Sequence, residues 1–158
     1  MRIELLADRP EYISNLALPI FEHWRFALPE DTLNTRVGKL RAHLSRSELP
    51  IAWVAHSEGQ VLGTAALRTH DLEGREDLTP WLGGVFVLPA FRRRGVGSAL
   101  CAEVEAHARR TGIQRLYLFT LDHQQMYSRL GWQVLERATW RGFDSEIMFK
   151  RLDERPGT

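Results

Sequence analysis

The stretch Val85-Phe86-Val87-Leu88-Pro89-Ala90-Phe91-Arg92-Arg93-Arg94-Gly95-Val96-Gly97-Ser98 decides how this chain is read. An apolar run suited to a buried strand feeds a loop with two glycines, and the loop opens a helix. Glycines let successive backbone N–H groups turn toward one point, and a helix N-terminus adds roughly half a positive charge. Arg92, Arg93 and Arg94 bring full charges beside it. Such a loop is an anion cradle suited to a phosphate or pyrophosphate. The same residues also suit a helix-capping turn next to a solvated arginine run. Two common phosphate loops are excluded. A Walker loop needs Lys-Ser/Thr after its last glycine, where Ser98-Ala99 stands, and the dinucleotide fingerprint needs a small residue in place of Leu100.

On the C-terminal side, Leu100, Val104 and Ala108 share one helical face. Glu103 and Glu105 lie early in that helix and Arg109-Arg110 late, matching its dipole, with Gly112 as the stop. Leu116–Phe119 reads as a strand and Asp122–Leu130 as a short helix ended by Gly131. Trp132–Trp140 and Ser145–Leu152 then pair across Arg141-Gly142-Phe143-Asp144. On the N-terminal side, Arg2–Leu6 alternates like a strand. Ile13, Leu16, Ile20 and Trp24 follow Pro10 at helical spacing, and Asp31-Thr32 caps a second helix with Leu33, Val37, Leu40 and Leu44 on one face. Ile51–His56 and Val61–Leu67 form a hairpin across Ser57-Glu58-Gly59-Gln60. Arg68–Pro80 is a polar segment, and Trp81–Leu88 has the pattern of a buried central strand.

This order predicts an α/β (α+β) fold. Its central sheet is mixed and mostly antiparallel, with one parallel β-α-β crossover at Trp81–Phe119 and flanking helices. Residues 1–152 read as a single domain and 153–158 as a frayed tail.

Composition narrows the function. Of 158 residues, 44% are hydrophobic and 26% charged, an ordinary globular balance. A net charge of +1 offers no global attraction for nucleic acid, so the arginine run is the only feature pointing that way. No apolar run approaches the ~20 residues of a membrane span, and Met1-Arg2-Ile3-Glu4-Leu5 does not resemble a secretory leader. A soluble, cytoplasmic protein is expected. Cys101 is the lone cysteine and none of the six histidines forms an i,i+4 pair, so no metal site is expected.

Two motifs carry a resemblance. Arg92, Gly95 and Gly97 fit Arg/Gln-x-x-Gly-x-Gly/Ala between a central strand and a helix. Downstream, Met126-Tyr127-Ser128-Arg129-Leu130-Gly131-Trp132 fits Tyr-x-x-Leu-Gly-Phe/Trp. Together, in this order, they resemble the GCN5-related N-acetyltransferase (GNAT) superfamily, and the element order agrees from Arg2 to Leu152. The resemblance implies an N-acetyltransferase that moves acetyl from acetyl-CoA to an amine by direct attack, without a metal. It implies that Arg92, Arg93, Arg94, Gly95, Val96, Gly97 and Ser98 surround the pyrophosphate. It also implies that Val85, Phe86 and Val87 pair their backbone with the pantetheine arm, and that this strand splays from Leu116–Phe119. Homodimers are frequent in the family.

Tyr127 has a chemical case of its own. A departing thiolate needs a proton, and a phenol with a pKa of ~10 is neutral at pH 7 and able to donate. The sequence departs from the family in two ways. The asparagine many members carry before this helix has no counterpart in Thr120–Gln125, and Trp81–Leu88 holds no carboxylate to act as base. Candidates for the base are therefore His70, Asp71 and Glu73, with His123 further away. Asp71, Glu73, Glu76 and Asp77 outnumber Arg68 and Arg75, which suggests an acidic rim for a cationic amine. Phe21, Trp24, Phe26, Trp140 and Phe143 stand where the family has its acceptor cleft, with at least two of them expected in the core. The alternative is a non-catalytic acyl-CoA sensor or interaction module that keeps only the cradle.

Overall fold

The computed structural model describes residues 1–153, so the expected tail beyond Asp153 lies outside the described residues. Seven strands form one sheet: β1 (Arg2–Leu5), β2 (Ile51–Ser57), β3 (Gln60–Arg68), β4 (Trp81–Val87), β5 (Arg115–Thr120), β6 (Gln133–Trp140) and β7 (Phe143–Arg151). Their order across the sheet is β1-β2-β3-β4-β5-β7-β6. All neighbours run antiparallel except β4 and β5, which are parallel, as the crossover required. Among the described residues there are four α-helices, α1 (Ile13–Trp24), α2 (Leu33–Arg41), α3 (Val96–Arg110) and α4 (Gln124–Arg129), besides three short 3-10 turns.

Strand alternation sorts the core into two layers. Ile51, Trp53, Ala55, Ala65 and Leu67 pack with Leu100, Cys101, Val104 and Ala108 of α3. The intervening Ala52, Val54 and Ala66 pack with Leu16 and Ile20 of α1. Side chains two apart on a strand share a face, so one pair of strands feeds both layers. Gly63 fits where β3, β4 and α3 meet, since a Cβ there would lie 2.6 Å from the Phe86 carbonyl oxygen.

Four expectations change. The second helix stops at Arg41, so Leu44 lies beyond it and is exposed. Its start is as expected: Thr32 accepts from the Thr35 N–H at 3.1 Å and Thr35 accepts in return from the Thr32 N–H at 2.8 Å. The last turn is only Arg141-Gly142, both with positive φ (50° and 83°), the pattern of a tight two-residue hairpin. That lets β7 begin at Phe143. The second half of β4 is only partly buried: Gly84 is exposed and Val85 and Val87 are partly so, while Phe86 is buried. The reason is the opening between β4 and β5. Finally, none of Phe21, Trp24, Phe26, Trp140 and Phe143 is buried in the core: Trp24 and Trp140 pack against its edge and line a cleft, while Phe26 and Phe143 are exposed.

Candidate active site

The cleft begins where the sheet parts. β4 and β5 pair at one position only, Trp81 with Tyr117, supported by the Tyr117 N–H donating to the Pro80 carbonyl at 3.1 Å. Beyond it β5 follows β7 along all six residues, and β4 stays with β3. A bulge re-aims β4: Thr64 pairs with Phe86 and Ala66 with Gly83, so Ala65 faces two residues, Gly84 and Val85. Gly84 takes φ 58°, a conformation costly for a residue with a Cβ. A cavity of about 450 Å³ fills the opening, with Val85 and Phe86 on one wall and Phe119, Thr120 and Tyr127 on the other.

The glycine loop closes the end of β4. Arg93 and Gly95 both take positive φ, 64° and 80°, which turns the chain into α3. Gly95 is the N-cap and supplies no side chain to the helix end. The first intrahelical bond shown runs from the Ala99 N–H to the Gly95 carbonyl at 3.0 Å. The N–H groups of Val96, Gly97 and Ser98 come before it and carry the positive end of the dipole. A Cβ on Gly97 would lie 3.6 Å from Val87 Cγ2, an ordinary contact, and one on Gly95 would meet nothing within 4 Å. The fold itself thus has room for a side chain at Gly97, and a glycine there keeps the space over these amides open. That is the shape a pyrophosphate needs.

The arginines divide. Arg92 turns back on the strand, with Nε donating to the Val87 carbonyl at 2.9 Å and its guanidinium 5.7 Å from the Phe86 ring centre. It braces the loop against β4. Arg94 lies over Phe91 at 5.8 Å, while Arg93 is exposed.

Tyr127 sits on α4, buried and facing the cleft. Burial first, then the nearby Cys101, pushes its phenol above the ordinary tyrosine range, which keeps it in the protonated, donating form. Cys101 is itself fully buried, and burial followed by the Glu105 carboxylate pushes its thiol up to about 12. It is packing, with no thiolate at neutral pH.

Of the candidate bases, Asp71, Glu73 and His123 line the cleft together with Tyr127, while His70 is not among the lining residues. The acidic rim does not stand as the sequence suggested. Arg68 Nη1 donates to Asp71 at 2.7 Å, Arg75 holds Asp77, and Glu76 accepts from the Gly74 N–H. Short-range pairing within the segment leaves Glu73 as its one cleft-facing acid without such a partner among the described residues.

Sequence reasoning missed the face of α2. Arg36, Lys39, Leu40 and His43 line the cleft, and their i, i+3, i+4, i+7 spacing was the available signal. His43 Nδ1 bonds the Lys39 carbonyl at 2.6 Å and Nε2 accepts from Arg68 Nε at 2.9 Å. Burial first, then the Arg68 charge, lowers its pKa to about 4, so it is neutral with its proton on Nδ1. Aromatic side chains close the far side. Trp24 meets Trp140 at 5.5 Å and Phe26 meets Phe143 at 5.2 Å. Arg141 ties this wall to the α1–α2 connection through the Ala27 carbonyl and Glu30. Among the described residues no group of His, Cys, Asp or Glu could hold a metal ion, and no helix is long and apolar enough to cross a membrane.

A sheet opened between two parallel strands, with an uncapped helix at the mouth and a buried tyrosine inside, defines a class. The chain belongs to the Acetyltransferase (GNAT) family, whose model it matches over residues 11–132. Among its relatives is the aminoglycoside N(6')-acetyltransferase type 1 of Salmonella typhimurium, 32% identical over 94 residues. That match covers 55% of this chain and 65% of the relative, so it spans less than two thirds of the relative's length. Two solved structures share the fold. An aminoglycoside 6'-N-acetyltransferase complexed with coenzyme A has a TM-score of 0.75 at 17% identity, covering 99% of both chains. The aminoglycoside 6'-N-acetyltransferase from Enterococcus faecium has a TM-score of 0.72 at 18% identity, also covering 99% of both.

Proposed function

We propose that this protein is an acetyl-CoA-dependent N-acetyltransferase, with residues 1–152 as one catalytic domain working in the cytoplasm. The observation that carries the reading is a juxtaposition. The open amides of Val96, Gly97 and Ser98 lie against Val87, the last residue of β4, and Val85 and Phe86 of the same strand line the cavity that holds Tyr127. An acyl thioester bound along this path supplies an activated acetyl group to an amine.

The chain's own residues have separable tasks. The amides of the loop and of the α3 terminus bind the diphosphate, with Arg93 and Arg94 nearby as screening charge. Arg92 acts through Val87 and Phe86 and is a positioning residue. Val85, Phe86 and Val87 offer a strand edge released from β5, to which an extended amide-bearing arm can add. Tyr127 donates its phenolic proton to the departing sulfur. Asp71 and Glu73 are the carboxylates lining the cleft that can take a proton from the acceptor's ammonium, directly or through water, so that the free amine attacks the thioester. His70 has the weaker case of the three.

Coenzyme A should raise the melting temperature of the wild-type protein, and acetyl-CoA with a panel of amines should release thiol. The relatives' names put an aminoglycoside amine in that panel. A thermal shift with no thiol released from any amine would favour the non-catalytic sensor. Sedimentation velocity reads the homodimer that is frequent in such proteins.

A further inference from the structure

We infer that the acceptor amine also carries an acidic group, a carboxylate or a phosphate, which the α2 face of the cleft receives. The inference rests on the acetyl-transfer reading of the same cleft and names the class of its second substrate.

The charges around the cavity carry it. Its lining holds four permanent cations, Arg36, Lys39, Arg68 and Arg141, against two carboxylates, Asp71 and Glu73. Two of those cations each have an acid of their own. Arg68 is held between His43 and Asp71, and Arg141 between Glu30 and the Ala27 carbonyl. The other two share one acid. Arg36 Nη2 meets Asp31 Oδ2 at 2.7 Å, Lys39 Nζ stands 3.4 Å from Asp31 Oδ1, and Thr35 donates to that same oxygen. Asp31 is itself nearly covered and is not part of the cavity wall, while the Lys39 side chain is 53% exposed.

One carboxylate cannot neutralise two cations, so a positive charge is left over on this face, held loosely by Lys39. His43 is neutral and takes nothing from it. Arg36 Nε is, besides, a buried donor with no partner among the described residues. Arginine and lysine together suit an oxyanion. The ammonium is met by the two carboxylates of the same cavity, Glu73 and the Arg68-bound Asp71, which line it together with Tyr127. Trp24, Phe119 and Trp140 line it as well, an apolar wall for the body of the molecule. A polycation would meet like charge at Lys39, and a neutral amine would leave that charge unanswered.

Calorimetry with the full-length protein in the presence of coenzyme A tests this without requiring turnover. The probes are size-matched amines bearing a carboxylate, a phosphate or no charged group, and a polycationic aminosugar. The expected result is that an acid-bearing amine binds about tenfold or more tightly than the neutral amine and the aminosugar. Lys39→Gln should reduce that preference and Lys39→Glu should abolish it, with the neutral amine unchanged. Whichever acid-bearing probe binds better identifies the group. Equal or better binding of the neutral amine or the aminosugar would overturn the inference. So would a preference that survives both Lys39 variants, or no binding by any probe. The two readings fail separately. Tight binding of an acid-bearing amine without thiol release removes acetyl transfer alone, whereas thiol release led by the aminosugar removes only the inference.

Discussion

Tyr127 is where local chemistry and family pattern meet, because burial keeps its phenol protonated and the cleft brings it beside β4. Tyr127→Phe keeps the ring packed at 6.3 Å from Trp132 and removes only the acid. Steady-state kinetics should show kcat down by ~10²–10⁴-fold with coenzyme A affinity preserved; a change under about threefold would return the residue to packing. The motif around Tyr127 made it legible in the sequence. For His43 the spacing from Arg36, Lys39 and Leu40 gave its face, but nothing local says that a histidine two residues past a helix will be buried against an arginine 25 positions away. Its pKa of about 4 lies below the ~6.5 of an unfolded chain. Between those values the unfolded state binds the extra proton, so this contribution is complete above pH 6.5 and is lost as pH falls toward 4. Its size is at most ~3 kcal/mol. Urea unfolding followed from pH 7 to 4 should fall less steeply for His43→Gln than for the wild type. Parallel profiles would contradict it.

The loop and α3 act as one element. Gly97 has room for a Cβ in the fold, 3.6 Å from the nearest side-chain atom, so a small substitution costs little in the free protein. Gly97→Ala should therefore fold normally with weakened coenzyme A binding, and Gly97→Glu, adding bulk and negative charge, should abolish the thermal shift. An undiminished shift in Gly97→Glu would remove the cradle from this loop. Element identities were largely readable because alternation and helical spacing report burial, and β2 shows this by feeding two layers in turn. What the sequence hid was where elements stop cooperating. The apolar run from Trp81 reads as continuous, yet its second half faces an opening because β5 pairs with it at a single residue. Apolar content cannot separate a residue facing the core from one facing a cleft. For the same reason the sequence did not say which of the five aromatics near the cleft would line it, as Trp24 and Trp140 do.

At the scale of the whole molecule, the sheet binds and opens at once. Antiparallel pairing on both flanks holds β4 and β5 apart, α3 caps one layer with its N-terminus at the mouth, and α1 and α2 wall the other. The acids of the 68–80 segment show how far composition misleads here: their local excess is real, but pairing within the segment hides it, while two cations on α2 share one acid. The central claim is acetyl transfer from the bound thioester to an amine. The most direct test counts, in one sample of wild-type protein with acetyl-CoA and a turned-over amine, the thiol released and the N-acetylated amine formed by mass spectrometry. The expected result is one acetylated amine for each thiol, with both lost together in Tyr127→Phe. Thiol released without acetylated amine, or coenzyme A binding with neither product across the amine panel, would contradict it.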